Sequence, residues 1–202
     1  MKEVFPTQKN TDSSFIFSID TIEKIENNKG LYCNEVEGKN QFIRIKLNDL
    51  PINLFFVLYC RAITFCPKDR NTIWLEGDFK EDKTFFEDSQ VLKVKVLENY
   101  LHNQFLNLGK DPMRCDNPNK NLIIIRYRNF EKKSKERISK ALDTISVSYF
   151  NFIKSFQKQN IDSLKIIYPL QILLEPDFRS FDVEGNIINH KPPPPAPIEI
   201  VE

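Results

Sequence analysis

Glycine is scarce in this chain, with five residues in 202 against a share of about 7% in ordinary globular proteins. So little glycine argues against the phosphate-cradling loops that depend on it, and no nucleotide cofactor is expected. Histidine is scarcer still. Only His102 and His190 are present, so imidazole acid–base chemistry is thinly supplied. The four cysteines, Cys33, Cys60, Cys66 and Cys115, lack the short paired spacing that brings two thiolates to one tetrahedral ion, so no metal is expected. They read as small buried hydrophobes. A nucleophilic Cys60 or Cys115 paired with His102 would need support that no neighbouring motif provides, and the chain has neither a Gly-x-Ser-x-Gly elbow nor a Walker A loop.

Long apolar runs are absent too. The longest, Leu54 to Cys60, is followed by Arg61 and falls far short of the roughly 20 residues that a membrane helix needs. The opening MKEVFPTQKNTD lacks the apolar centre of a secretory signal, which leads to the expectation of reduced thiols and a cytoplasmic location. A formal charge of +1, from 29 basic and 28 acidic residues, excludes global attraction to nucleic acid or anionic lipid. Any electrostatic function must be regional.

What the chain does have is material for a core: 41% apolar residues, 17 of all residues being Phe. The sharpest pattern lies between Glu131 and Gln159, where Ile138, Leu142, Ile145, Tyr149, Phe152 and Phe156 recur at steps of four and three. That spacing predicts one amphipathic helix. On the wheel, Lys133, Arg137, Lys140, Lys154 and Lys158 fall on the far side as a basic stripe.

Before this helix the pattern is mostly extended. Residues 1–13 are polar and are expected to fray. Phe15 to Ile19, Gly30 to Val36, Gln41 to Leu47 and Thr72 to Phe79 read as strands from their alternation and β-branched content. Leu50 to Phe65 leans the same way, and Val91 to Val96 reads as a strand with Lys93 and Lys95 alternating outward. Leu97 to Leu108 predicts a short helix stopped at Gly109, and Lys110 to Lys120 a loop. Leu122 to Ile125 is a strong strand feeding the long helix. Leu164 to Leu174, interrupted by Pro169, reads as two short strands or a bent edge strand. Strand, helix and strand here suit a crossover unit. Phe181 to Ile188 suggests a last hairpin, and the terminal HKPPPPAPIEIVE an extended polyproline arm from residue 191.

Two surfaces invite a functional reading. From Arg126 to Lys140 seven cations face two anions, a local +5, and Tyr127 and Phe130 are interleaved. Arg126, Tyr127, Arg128, Lys132, Lys133, Arg137 and Lys140 are the candidate contacts to a nucleic acid, phosphates on the cations and a base on the ring. The bland alternative is a solvated helix face. The apolar seam is either the core side of a helix on a sheet or a grip on another chain. Val147 and Phe150 lie off the seam, so the C-terminal half is apolar on more than one side and Tyr149, Phe150, Phe152 and Phe156 become candidate partner contacts. Pro194, Pro197, Ile198 and Ile200 of the arm join them, as a stiff segment that docks or adds a strand to another chain.

A third constellation is acidic. Between Asp69 and Asp88 seven carboxylates meet three cations, and Glu76 and Asp78 share one side of a strand. With Lys93 and Lys95 on a following strand they would resemble the donor set of a metal-dependent nuclease, although the acidic-then-Glu-x-Lys spacing of such sites is missing.

The expected fold is therefore α+β: an antiparallel β layer, meander or partly closed barrel, over residues 14–190, with one long helix packed on it and a proline-rich arm at 191–202. The expected role is a noncatalytic subunit of a protein assembly or homo-oligomer. A nucleic-acid-binding module and a metal-dependent nuclease are the alternatives.

Overall fold

Segments that are apolar at consecutive positions, such as LIII at 122–125 and ILL at 172–174, can bury both of their faces, which is the habit of strands in the middle of a parallel sheet. The computed structural model, which describes residues 3–7, 14–21, 24, 29–37, 39–47, 49–57, 68–78, 83–86, 90–91, 93–127 and 132–176, places them there. Its strands are β1 (Ser14–Ser18), β2 (Asn40–Leu47), β3 (Leu50–Val57), β4 (Thr72–Asp78), β5 (Lys83–Phe86), β6 (Gln90–Val91), β7 (Leu122–Tyr127) and β8 (Ile172–Pro176). Its helices are α1 (Lys29–Val36), α2 (Val94–Phe105), α3 (Lys132–Lys154) and α4 (Ile161–Ile167). The strands form one sheet in the order β1-β2-β3-β8-β7-β4-β5-β6.

The sheet is mixed, where an antiparallel layer was expected. β3, β8, β7 and β4 run parallel to one another, whereas β2–β3, β4–β5 and β5–β6 are antiparallel. β1 also lies parallel to β2. A parallel neighbour cannot be reached by a hairpin, and the connection from β1 runs through a 3-10 turn at Ile19–Thr21 and through α1. Gly30 to Val36, expected as a strand, is this helix. Its few apolar residues fit either period, so local pattern alone could not decide.

The crossover unit expected after Leu122 is present: β7 leads through α3 and α4 to the parallel strand β8. Alternate residues of the central strands, Ile73, Leu75, Ile123, Ile125, Ile172 and Leu174, join Ile138, Leu142, Ile145, Tyr149 and Phe152 of α3 in the main core. Leu122, Ile124 and Leu173, one step out of phase, form a separate buried cluster. α2 packs beside α3. Ser148 Oγ donates to the Val94 carbonyl at 3.0 Å, and the Phe152 ring lies 4.9 Å from His102 and 5.1 Å from Phe105. Contacts therefore climb both helices together, and the two run in the same direction.

Other expectations change for local reasons. The alternation at Val91 to Val96 does not extend a strand. Lys93 is the extended residue before α2, and the buried Leu97, Leu101 and Phe105 continue a helical period that already holds Val94. Leu164 to Leu174 divides at Pro169 into α4 and β8. Asn160 starts the helix, its side chain accepting from Ser163 N at 3.0 Å. β8 is central, not an edge, and its proline stands at its last position. At the other end of the chain, Val4, Phe5 and Thr7 are buried within the segment expected to fray, and Thr7 Oγ1 accepts from Phe55 N at 2.8 Å. Cys33 is disulfide-bonded, against the expectation of reduced thiols, while Cys115 is a buried free thiol. The predicted hairpin at 181–188 and the arm at 191–202 lie outside the described residues. No described helix is long and apolar enough to cross a membrane.

Candidate functional site

The predicted basic surface is divided by the fold. Arg126, near the end of β7, is half-buried, and its Nε donates to Glu175 Oε2 at 2.8 Å. Arg137, placed on the solvent stripe by the helical wheel, is 6% exposed. A wheel assumes one apolar face, whereas α3 is packed by the sheet, by the 3-10 turn at Ile19–Thr21 and, along its C-terminal half, by α2. Lys140 is exposed. Tyr127 ends β7 and Lys132 and Lys133 open α3, while Arg128 and Phe130 lie outside the described residues.

The apolar seam belongs to the chain's own core. Tyr149 and Phe152 are fully buried, and Phe150 and Phe156 are half-buried against the same cluster. Phe156, just beyond α3, meets Phe152 edge-on at 5.2 Å and stacks on Tyr168 at 5.4 Å. Tyr149 donates through its hydroxyl to the Tyr168 carbonyl at 2.9 Å, and burial pushes that hydroxyl far above its ordinary titration range. These four side chains hold α3 to its own fold and are not offered as a continuous face to a partner. Pro194, Pro197, Ile198 and Ile200 lie outside the described residues.

Of the acidic constellation, Glu76 and Asp78 stand two residues apart on β4 as read, but Lys93 and Lys95 do not follow on a strand. Register places Glu76 beside Arg126 and Arg126 beside Glu175, one row across the carboxyl ends of three parallel strands. Such ends are a common ligand position in open sheets, but the row's arginine is engaged by a carboxylate. Lys93 and Lys95 open α2, and Lys95 Nζ pairs with Glu98 at 3.2 Å. Among the described residues no group of three or more His, Cys, Asp or Glu is placed to hold a metal ion.

The opposite, amino end of the parallel strands carries a built loop, residues 107–121, that the sequence reading treated only as a connection. Buried Asn107 organises it. Its Nδ2 donates to the carbonyls of Asp111 and Cys115, both at 2.9 Å, and its Oδ1 accepts from Asp111 N at 2.8 Å. Gln104 Oε1 accepts from Cys115 N at 2.7 Å, and the Cys115 thiol donates to the Asn117 carbonyl at 2.9 Å. Burial raises the thiol's pKa and keeps it protonated. Asn117 caps the 3-10 turn Pro118–Lys120. From outside the loop, Arg70 donates to the Pro112 carbonyl at 3.2 Å and to Asp116 Oδ2 at 3.0 Å. Lys120 reaches Asp116 Oδ1 at 3.2 Å, and this bond chiefly holds the Asp116 carboxyl below its ordinary range.

This scaffold holds apolar groups in water. Leu108 adopts φ 47 and Gly109 φ 79. Glycine takes that conformation freely, and leucine does not. Leu108 is 60% and Met113 78% exposed. α4 lies at the same end: Ile123 N donates to Gln171 O, Gln171 Nε2 donates to Asn119 O at 2.7 Å, and Tyr168 lies against Phe105. Ile166 and Ile167 of α4 are exposed as well. The signal that could have revealed this surface was the pair Leu108-Gly109, read only as a helix stop, beside an apolar Met113 within a polar loop.

No protein family, characterised protein or solved structure matches this chain in sequence or fold.

Proposed function

We propose that this chain is a noncatalytic protein-binding subunit of a larger assembly, and that it meets its partner through loop 107–121 and α4. The observation that carries this reading is Leu108. A leucine with positive φ costs about 1–2 kcal/mol, and this one also leaves most of its side chain in water, which serves neither folding nor solubility. Strain combined with apolar exposure points to use elsewhere. Because Asn107, Gln104 and Arg70 already order the loop, docking would sacrifice little further chain entropy.

Charge narrows the partner. Asp111 pairs with Arg114, and Asp116 with Arg70 and Lys120. Lys68, Asp69 and Lys110 are exposed with no ion pair among the described residues, which leaves one positive charge in excess. A matching surface is therefore apolar at its centre and acidic at its rim.

A photo-crosslinking residue placed at Met113, with a control at exposed Glu136 on α3, tests this in extracts of the source cells. The reading expects a discrete adduct at position 113 that is absent at 136 and is abolished by Leu108→Ser or Ile166→Ser. Adducts of equal yield at both positions, or an adduct indifferent to Leu108→Ser and Ile166→Ser, would overturn it.

A further inference from the structure

The β2–β3 hairpin, away from the loop surface, holds a cavity of about 280 Å³. It is lined by Phe5 and Pro6 of the N-terminal segment, by Leu50, Pro51 and Ile52 of β3, and by the polar Arg44 and Asn53. The N-terminal segment is fixed, since Val4, Phe5 and Thr7 are buried and Thr7 Oγ1 accepts from Phe55 N.

That hydrogen bond also reveals how the strand is oriented. Phe55 pairs with Phe42 in the antiparallel register, yet its N–H points away from β2. Phe42 and Phe55 are therefore a pair without mutual hydrogen bonds. Two steps on, Arg44–Asn53 and Lys46–Pro51 are pairs of the same kind. Pro51, which has no N–H, is tolerated there for this reason. The backbone N–H of Asn53 accordingly faces the outer edge of β3, on the side of the N-terminal segment. β8 begins to pair with β3 only at Phe56 and does not cover that edge.

The polar lining is cationic. Arg44 Nε donates to Asn53 Oδ1 at 3.1 Å, which sets the plane of the guanidinium and leaves both Nη groups without a partner among the described residues. Lys46, exposed, follows on the same face of β2. Asp49, in the turn, is the one carboxylate of the hairpin, and Glu3 is engaged by Lys154 at 2.9 Å.

We propose that this cavity binds a small apolar carboxylate, an acid of the size of phenylacetate. Its carboxylate would take the two Nη groups of Arg44 and the Asn53 N–H, and its hydrocarbon body would lie against Pro6 and Pro51, the apolar lining residues that reach the surface beside Arg44. The geometry of a fixed guanidinium suits two carboxylate oxygens. The volume of about 280 Å³, just under the roughly 300 Å³ at which ligand pockets begin, suits one ring. This proposal is independent of the protein-binding surface.

Titration of the ¹⁵N-labelled chain with sodium phenylacetate, followed by NMR, tests it. Saturable shifts centred on the amides of Phe5, Arg44, Ile52 and Asn53 are expected, with a dissociation constant on the order of 1 mM. Phenylacetamide, which has no charge, and the variant Arg44→Met should each weaken binding about tenfold or more, and Arg44→Lys should recover part of it. Arg44 is exposed, so the variants keep the fold, and their unchanged remaining spectra verify this. Equal affinity for phenylacetamide, equal affinity in Arg44→Met, shifts centred elsewhere, or no saturation would each overturn the proposal.

Discussion

Asn107 donates through one side-chain nitrogen to two carbonyls, those of Asp111 and Cys115, both at 2.9 Å. It closes nine residues of chain on a single buried amide, so the first half of loop 107–121 is organised around one side chain. Replacing Asn107 with Ala should destabilise the protein by about 1–3 kcal/mol, because the carbonyls it served are left unpaired. Urea denaturation gives the cost, and hydrogen exchange at Asp111 N–H should accelerate well beyond that in β7. A loop that exchanges at the native rate in Asn107→Ala would show that the remaining contacts suffice.

Phe152 is fully buried among the rings of His102, Phe105, Tyr149, Phe156 and Tyr168. Phe152→Ala should cost about 3–5 kcal/mol. Thermal unfolding of the variant in dilute solution checks this. If only the oligomeric mass changed and the monomer kept its stability, the residue would belong to an interface and not to this core.

Asp116 has its carboxyl held low chiefly by the hydrogen bond from Lys120; burial opposes this, and the charges of Lys120, Arg70 and Lys68 add to the lowering. A group whose pKa is depressed on folding contributes its stabilisation above the unfolded value and loses it as pH falls through the folded one. The loop's order should therefore be complete above the ordinary aspartate range and decline in acid. Carbon-detected NMR titration should find Asp116 below the usual aspartate value, and Lys120→Met should move it up.

Arg137 and Lys140 lie three residues apart on α3, yet one is buried and the other exposed. Lys140→Glu should change stability by no more than about 0.5 kcal/mol, whereas Arg137→Glu should destabilise severely by burying a carboxylate. Chemical denaturation of the two variants decides it. Loss of nucleic-acid binding by Arg137→Glu would consequently mean nothing unless the variant were first shown to be folded.

The sequence by itself determined the elements whose pattern is long or redundant. α3 was legible because six apolar residues repeat at the helical period, β7 because four consecutive apolar residues suit nothing else of that length, and the crossover unit because these two adjoin. Short segments were not so constrained. KGLYCNEV fits a helix or a strand, VLKVKV alternates until Leu97 continues its helical phase, and only packing against a neighbour chooses between the two.

Tertiary structure alone decided which strands are neighbours and which faces are covered. Whether β1 is parallel or antiparallel to β2, and whether β8 is edge or centre, depends on partners distant in the chain, and strand propensity does not encode them. The same holds for the surfaces. A helical wheel gives α3 one wet side, but the assembled fold covers part of it and buries Arg137. Loop 107–121 reads as polar connection because no local pattern says that Asn107 and Gln104 fold inward while Leu108 and Met113 face water. Burial is a property of the whole fold, so exposure and function had to be read from the assembled chain.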